Sequence, residues 1–167
     1  MNQKKIKILF FITGLDSGGA EKQLFNLVKG LSVKTNLEIK LVALKNGIYF
    51  ENFVALGSDV IVFKKTTLFT NNISIFISHI KLFKPDIVHS FLLHTNIISK
   101  FSLFFIKKEF KLICSYRTLI SKYPLLNTLE FINYKKVDLM ISNSKSADSD
   151  LVNFKKISKR VILNGFL

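Results

Sequence analysis

Four short clusters hold the groups that could do chemistry. The first is Gly14-Leu15-Asp16-Ser17-Gly18-Gly19-Ala20-Glu21, where an apolar run of strand length (6–12) passes through a glycine-containing loop into a helix pattern. Such a junction brings unpaired backbone amides and the positive end of a helix to one point, which is how α/β proteins hold phosphate. Gly18 and Gly19 are candidate ligand-binding positions, because bare backbone lets a ligand come close. The spacing is not G-x-G-x-x-G, so a dinucleotide fingerprint is not met. A strand-to-helix turn that needs positive φ is the structural alternative.

The other clusters each follow an apolar run. His89 and Ser90 close the first of them, with His94 a few residues on. His89 is the candidate catalytic residue; its alternative is a core-edge histidine bonded to backbone. His94 is a candidate ligand contact, or else a helix-start residue facing water. Arg117, within Ser115-Tyr116-Arg117-Thr118, stands out because arginine is so scarce here. At a strand end it could fork onto a phosphate or carboxylate; otherwise it pairs with a loop acid. Asn143 and Ser144, in Ser142-Asn143-Ser144-Lys145, are candidates for ligand contact or for capping the helix that follows. The chain has no H-E-x-x-H, C-x-x-C, P-loop or G-x-S-x-G pattern, which argues against a protein-bound metal, an NTPase and a serine nucleophile elbow.

These clusters need a scaffold that sets them along one edge. Apolar runs at 6–12, 38–44, 59–62, 86–90, 111–115, 139–142 and 161–163 read as strands, most nearly continuous in apolar residues, as a sheet covered on both faces requires. Helix-length segments at 20–32, 49–56, 71–83, 95–106, 119–135 and 145–153 alternate with them. In the first helix Ala20, Leu24, Leu27, Val28 and Leu31 share a face. Lys84-Pro85 stops the third helix. The expected fold is therefore α/β: a Rossmann-like, doubly wound parallel sheet of about seven strands with helices on both faces. In such a sheet ligands sit beyond the carboxyl ends of the strands, where all four clusters fall.

The 167 residues fit one domain with a real core. No run reaches the roughly 18 apolar residues of a membrane span, and the basic start, Met1 to Lys5, is followed by too short an apolar run for a signal peptide. A cytoplasmic chain is expected. The single cysteine, Cys114, excludes an internal disulfide and reads as a small buried hydrophobe. The net charge of +14 comes from 23 Lys and only 2 Arg against 11 acids. That balance suits a generic anionic surface better than base or phosphate readout by arginine forks, so nucleic acid is not an expected partner.

Read together, Gly14 to Glu21, Lys84-Pro85-Asp86-Ile87-Val88-His89-Ser90, Phe91 to Asn96, Ser115-Tyr116-Arg117, Asp138 to Ser144 and Val161-Ile162-Leu163-Asn164-Gly165 resemble the N-terminal domain of GT-B glycosyltransferases of family 4, in order along the whole chain. The resemblance implies an enzyme of two Rossmann-like domains across a cleft. The first holds mainly the acceptor, and the second holds most of a nucleotide-sugar donor. It implies that Gly18 and Gly19 approach the donor's sugar and diphosphate, while His89 and Arg117 look toward sugar and acceptor, with His94, Asn143 and Ser144 as further acceptor- or sugar-binding candidates. It implies no cofactor beyond the nucleotide-sugar substrate and no metal. The acceptor would be a glycan or lipid-linked molecule of polysaccharide or cell-envelope assembly, at the inner face of a membrane. The family's frequent His-x-His after the Pro-Asp strand has Phe91 in the second position, and a histidine frequent at the next strand end is replaced by Tyr116 or Arg117. On this reading 1–167 is the acceptor-side domain alone, the donor-binding domain is absent or on a partner chain, and the isolated chain is inactive. The rival reading is a non-catalytic α/β module that binds a nucleotide or an anionic membrane. The Lys-ringed segment 97–108 lies either in a membrane interface or as a helix packed on the sheet.

Overall fold

Seven strands pair in parallel in the order β3-β2-β1-β4-β5-β6-β7 in a computed structural model that describes residues 4–63 and 69–164. They are β1 (Ile6–Ile12), β2 (Leu37–Ala43), β3 (Asp59–Val62), β4 (Ile87–Phe91), β5 (Lys111–Tyr116), β6 (Leu139–Ser142) and β7 (Ser158–Val161). The helices between them are α1 (Gly19–Ser32), α2 (Phe50–Ala55), α3 (Phe69–Phe83), α4 (Leu93–Ser102), α5 (Pro124–Glu130) and α6 (Lys145–Ser149). This is the doubly wound sheet that the alternation predicts. The order of strand addition reverses between β1 and β4, which are parallel hydrogen-bonded neighbours from Ile8↔Ile87 to Ile12↔Phe91. Their carboxyl ends form the crevice where such sheets bind ligands.

Side-chain alternation along each strand separates two cores. Leu9, Phe11, Val88, Leu112, Cys114, Tyr116 and Met140 face the α3–α4–α5 side and pack against Ile73, Phe76, Ile98 and Phe154. Ile8, Phe10, Ile12, Leu41 and Phe91 face the opposite side, where Leu24, Val28 and Phe53 of α1 and α2 cover them. The second face is only partly covered. Beyond α1, side chains of β4, β5 and β6 (Ile87, His89, Ile113, Ser115 and Ile141) line an open groove of about 520 Å³. Leu27, expected on the buried face of α1, is 38% exposed and looks into that groove, while Glu21 is buried in its place.

Several boundaries differ from the sequence reading, each for a local reason. The last strand lies at Ser158–Val161 rather than 161–163, because register with β6 pairs Leu139 with Ser158 and Ser142 with Val161. Ile162 N–H still donates to Ser142 O at 2.9 Å, but the Ile162 and Leu163 side chains are exposed; Gly165 lies outside the described residues, as do Met1 to Gln3. The expected single helix over 119–135 is a 3-10 turn, the seven-residue α5 and a second 3-10 turn. Pro124 opens α5 after a non-helical Tyr123 (φ −129°, ψ 75°), and Asn133 adopts a left-handed φ of 49°. Helix α4 ends at Ser102, four residues before the expected 106, and α6 at Ser149 rather than 153. Lys84 stops α3 with a φ of 50° rather than by becoming extended.

One charged cluster lies wholly inside the α3–α4–α5 side. Lys100 and Glu130 are both fully buried and ion-paired, and the Tyr116 hydroxyl donates to Glu130 Oε2 at 2.6 Å. Burial pushes the Glu130 carboxyl above its ordinary range, against the pull of Lys100. Cys114, buried nearby, has its thiol pushed up to about 12 by burial.

Candidate functional site

At the carboxyl edge of the sheet, Gly19, Ala20, Glu21, Leu92, Arg117, Thr118, Asn143 and Asn164 line a cavity of about 270 Å³. Helix α1 points its first turn into it. The N-cap is Gly18, with extended backbone (φ −75°, ψ 163°) and no side-chain cap, so the positive end of a 14-residue helix meets the cavity without a hydroxyl or amide over it. The glycine is not there for a left-handed turn. A Cβ at residue 18 would lie 2.2 Å from Glu21 Oε2, so its absence lets the Glu21 carboxylate fold back over the start of the helix. A carboxylate three residues past the cap is favourably placed against those amides. The preceding loop is braced from outside: a Cβ at Gly47 would lie 2.3 Å from the Leu15 carbonyl carbon, and Tyr49 N–H donates to Leu15 O at 2.9 Å.

Arg117 follows β5 and reaches the same cavity. Its Nη1 donates to Asn164 Oδ1 at 2.6 Å, and its guanidinium lies 5.5 Å from the Phe91 ring centre. Among the described residues no carboxylate comes within ion-pair distance of it, and its buried Nε has no partner. Burial lowers its pKa, yet a guanidinium stays charged at any physiological pH. Arg117 therefore keeps donors for an anionic oxygen.

Arg117 also lines the open groove, which holds His89. The His89 ring is buried between Phe10 and Phe91, with centroids 5.6 and 4.3 Å away, and Nε2 shares a 2.8 Å hydrogen bond with Ser115 Oγ. Burial, then Arg117, pushes its pKa down to about 3. The imidazole is therefore neutral near pH 7 and suited to orienting a hydroxyl rather than to delivering a proton as a cation.

The backbone between the two strand ends is held under strain. Leu92 has a φ of 75° and ψ of 158°, a region costly for a residue with a Cβ. A buried polar network fixes it. Thr95 Oγ1 donates to Phe91 O, and to Leu92 O at 3.1 Å. Leu92 N–H donates to Ser115 O at 3.2 Å. Ser90 Oγ donates to Asn96 Oδ1 at 2.6 Å, and Asn96 Nδ2 to Ser115 O at 3.1 Å.

Of the candidates read from sequence, Gly19, Arg117 and Asn143 line the small cavity, Gly18 caps the helix that enters it, and His89 lies in the adjoining groove. Ser144 caps α6, its Oγ accepting from Ala147 N–H at 3.0 Å, and is not among the cavity's lining residues. His94 is exposed on the first turn of α4, in an apolar groove with Phe69, Ile97, Phe101, Leu126 and Leu129, apart from the others. The structure adds Glu21, Leu92, Thr118 and Asn164. Glu21 had a readable signal, its place three residues past a glycine at a helix start, and so had Thr118, which stands in the strand-end cluster around Arg117. Among the described residues no group of three His, Cys, Asp or Glu is placed to hold a metal ion.

A parallel sheet with this strand order and a glycine-opened helix entering its carboxyl edge is the frame of a Rossmann-like ligand-binding domain. The chain belongs to glycosyltransferase family 4, whose family model matches residues 17–166. No curated protein sequence matches it. Among solved structures it resembles HepE of Anabaena in complex with UDP, at 16% identity and a TM-score of 0.77, covering 96% of this chain and 44% of that one. The apo form of the lipopolysaccharide outer core galactosyltransferase WaaB gives 12% identity and 0.77, with 96% and 46% covered. Sucrose-phosphate synthase of Thermosynechococcus elongatus gives 12% and 0.68, with 97% and 49% covered. These likenesses are of fold. The chain spans less than half the length of each and corresponds to an N-terminal-like GT-B domain.

Proposed function

We propose that this chain forms the acceptor-side wall of a glycosyltransferase that moves a sugar from a nucleotide-sugar to a glycan or lipid-linked acceptor of cell-surface polysaccharide assembly. One observation carries the reading: the N-terminus of α1 and a guanidinium with no carboxylate partner open onto one cavity. The guanidinium favours negative charge, the helix start does so beside the Glu21 carboxylate that folds over it, and a departing diphosphate is where negative charge develops in sugar transfer. The Gly18-Gly19 backbone and Arg117 meet the donor's phosphates or sugar. Glu21 and Asn143 accept and donate hydrogen bonds to hydroxyls, and neutral His89 orients the acceptor side. HepE has been solved with UDP and with UDP-glucose, which supports a nucleotide-sugar as the donor class. WaaB is a lipopolysaccharide outer core galactosyltransferase, which supports a cell-envelope acceptor. No metal or cofactor is assigned a part; the nucleotide-sugar is a substrate.

Most of the nucleotide is held by a second domain, either further along a longer chain or on a partner chain, and the 167-residue chain alone is inactive. The protein works in the cytoplasm, at the inner face of the membrane, where a lipid-linked acceptor is presented. The association proposed is peripheral; the described residues include no helix long and apolar enough to cross a bilayer.

The test is sugar transfer from UDP-glucose, and from other nucleotide-sugars, by the chain alone and when mixed with or fused to a family 4 C-terminal domain. Transfer is expected only in the assembled form, and Arg117→Gln is expected to lower kcat/KM by about 10- to 100-fold. Transfer by the chain alone would overturn the division of labour. Full activity in the Arg117 variant would overturn the site.

A further inference from the structure

The outer side of the α3–α4–α5 layer plays no part in the site, yet it is built as a distinct surface. The Phe69 ring meets Phe101 edge-on with centroids 5.4 Å apart, and Phe101 meets Phe104 in the same manner at 5.9 Å. An aromatic stripe thus runs from the start of α3 to the turn that follows α4. Its members reach solvent: Phe104 is 61% exposed and Phe105 68%, with Leu82 and Leu125, both 78% exposed, on the same layer. Phe105 borders two shallow grooves together with Lys81, and one of them is also rimmed by Lys84 and Lys107.

The charge around the stripe has almost one sign. Residues 60–129 hold nine Lys and one Arg against two acids, Asp86 and Glu109. Asp86 accepts from Lys7 N–H at 2.8 Å, and exposed Glu109 lies 3.4 Å from Lys107. Helices α3, α4 and α5 carry one acid among them, Glu130, which is buried against Lys100. Apolar rings ringed by lysines, with scarcely an exposed carboxylate, match the boundary between lipid headgroups and acyl chains. A second copy of this chain, itself at +14, would set lysines against lysines.

We propose that this surface is the membrane-docking face: Phe104 and Phe105 seat in an anionic leaflet, and Lys81, Lys84 and Lys107 meet lipid phosphates. The proposal rests on the peripheral membrane location given above and names the residues that produce it. It also divides the segment 97–108. Ile97, Ile98, Lys100 and Ser102 are packed inside, so α4 itself does not lie in lipid; only the turn after it does. At the other end of the stripe, the apolar groove of about 330 Å³ that includes Phe69, His94 and Phe101 opens beside the first turn of α4. Leu92, the residue before that helix, lines the candidate site. Lys84, Phe105 and Lys107 precede β4 and β5, so the lipid-facing turn lies at the amino edge of the sheet, and the stripe runs from there to Phe69 at the start of α3.

The test is co-sedimentation of the full 167-residue chain with phosphatidylcholine vesicles, with and without phosphatidylglycerol, across a salt series. Binding is expected only with phosphatidylglycerol. Phe104→Ser with Phe105→Ser should weaken it by about tenfold or more, and Lys81→Gln or Lys107→Gln by about fivefold each. Both sets should melt like the parent chain, because these side chains are exposed. Failure of the parent chain to bind anionic vesicles would overturn the membrane location and this face together. Binding that survives the Phe104 and Phe105 substitutions would overturn the face alone. Self-association without lipid that the phenylalanine variant abolishes would assign the face to a second copy and overturn the proposal.

Discussion

Lys100 and Arg117 are two cations on the same half of the sheet with opposite surroundings. Lys100 is fully enclosed, paired with Glu130, and its partner is also held by the Tyr116 hydroxyl. Arg117 is half-buried, rests on the Phe91 ring, bonds Asn164 and has no carboxylate among the described residues. A buried charge with its counter-ion is spent on the fold. A cation at a cavity wall without one can still attract an anion from outside. Position alone does not separate the two, since both follow or face strand ends; the presence of a carboxylate does.

The strongest way to break the contrast is Glu130→Ala, which leaves Lys100 buried without its counter-ion. A loss of about 3–5 kcal/mol in urea unfolding is expected, with much of it recovered when Lys100→Met is added. A small loss would mean that water reaches Lys100 and that the two sites are less different than they look.

Next comes His89, the neutral partner of the Arg117 side. Its folded pKa is pushed down to about 3, below its ordinary value, so the unfolded chain binds a proton on falling through about pH 6.5 while the folded chain does not. Stability attributable to this group is complete above about pH 6.5 and is lost as pH falls toward about 3. Between about pH 6.5 and pH 5 the loss should approach 2 kcal/mol, and His89→Gln should flatten that part of the profile. An unchanged profile in the variant would show that the ring is already wet.

The smallest expected effect sharpens the comparison most. Arg117→Gln should change folding stability by no more than about 1 kcal/mol, because it removes one hydrogen bond and a ring contact without orphaning a buried acid. A loss as large as that of Glu130→Ala would mean that Arg117, too, is structural.

Much of the frame was legible because parallel strands and helices impose different periods. The strands 6–12, 59–62 and 139–142 were read at their observed bounds, and the alternation of elements implied the sheet. Edge and tertiary effects were not legible. β7 is an edge strand carrying Lys159 and Arg160, so apolarity pointed past it to Ile162 and Leu163. The open half of one sheet face leaves no mark in the period of β4, β5 or β6. His94 is five residues from His89, but the turn at Leu92 sends it to the opposite layer. Asn164 reaches Arg117 only because β7 returns the chain to the same edge, a contact 47 residues apart.

The lone thiol has a practical consequence. Cys114 is buried and its ionisation is suppressed, so it will not compete for thiol-directed labels while the chain is folded. A cysteine placed at any exposed position would therefore be the single reactive handle, and a polarity-sensitive fluorophore attached there could report depth, contact or assembly without first engineering a cysteine-free background.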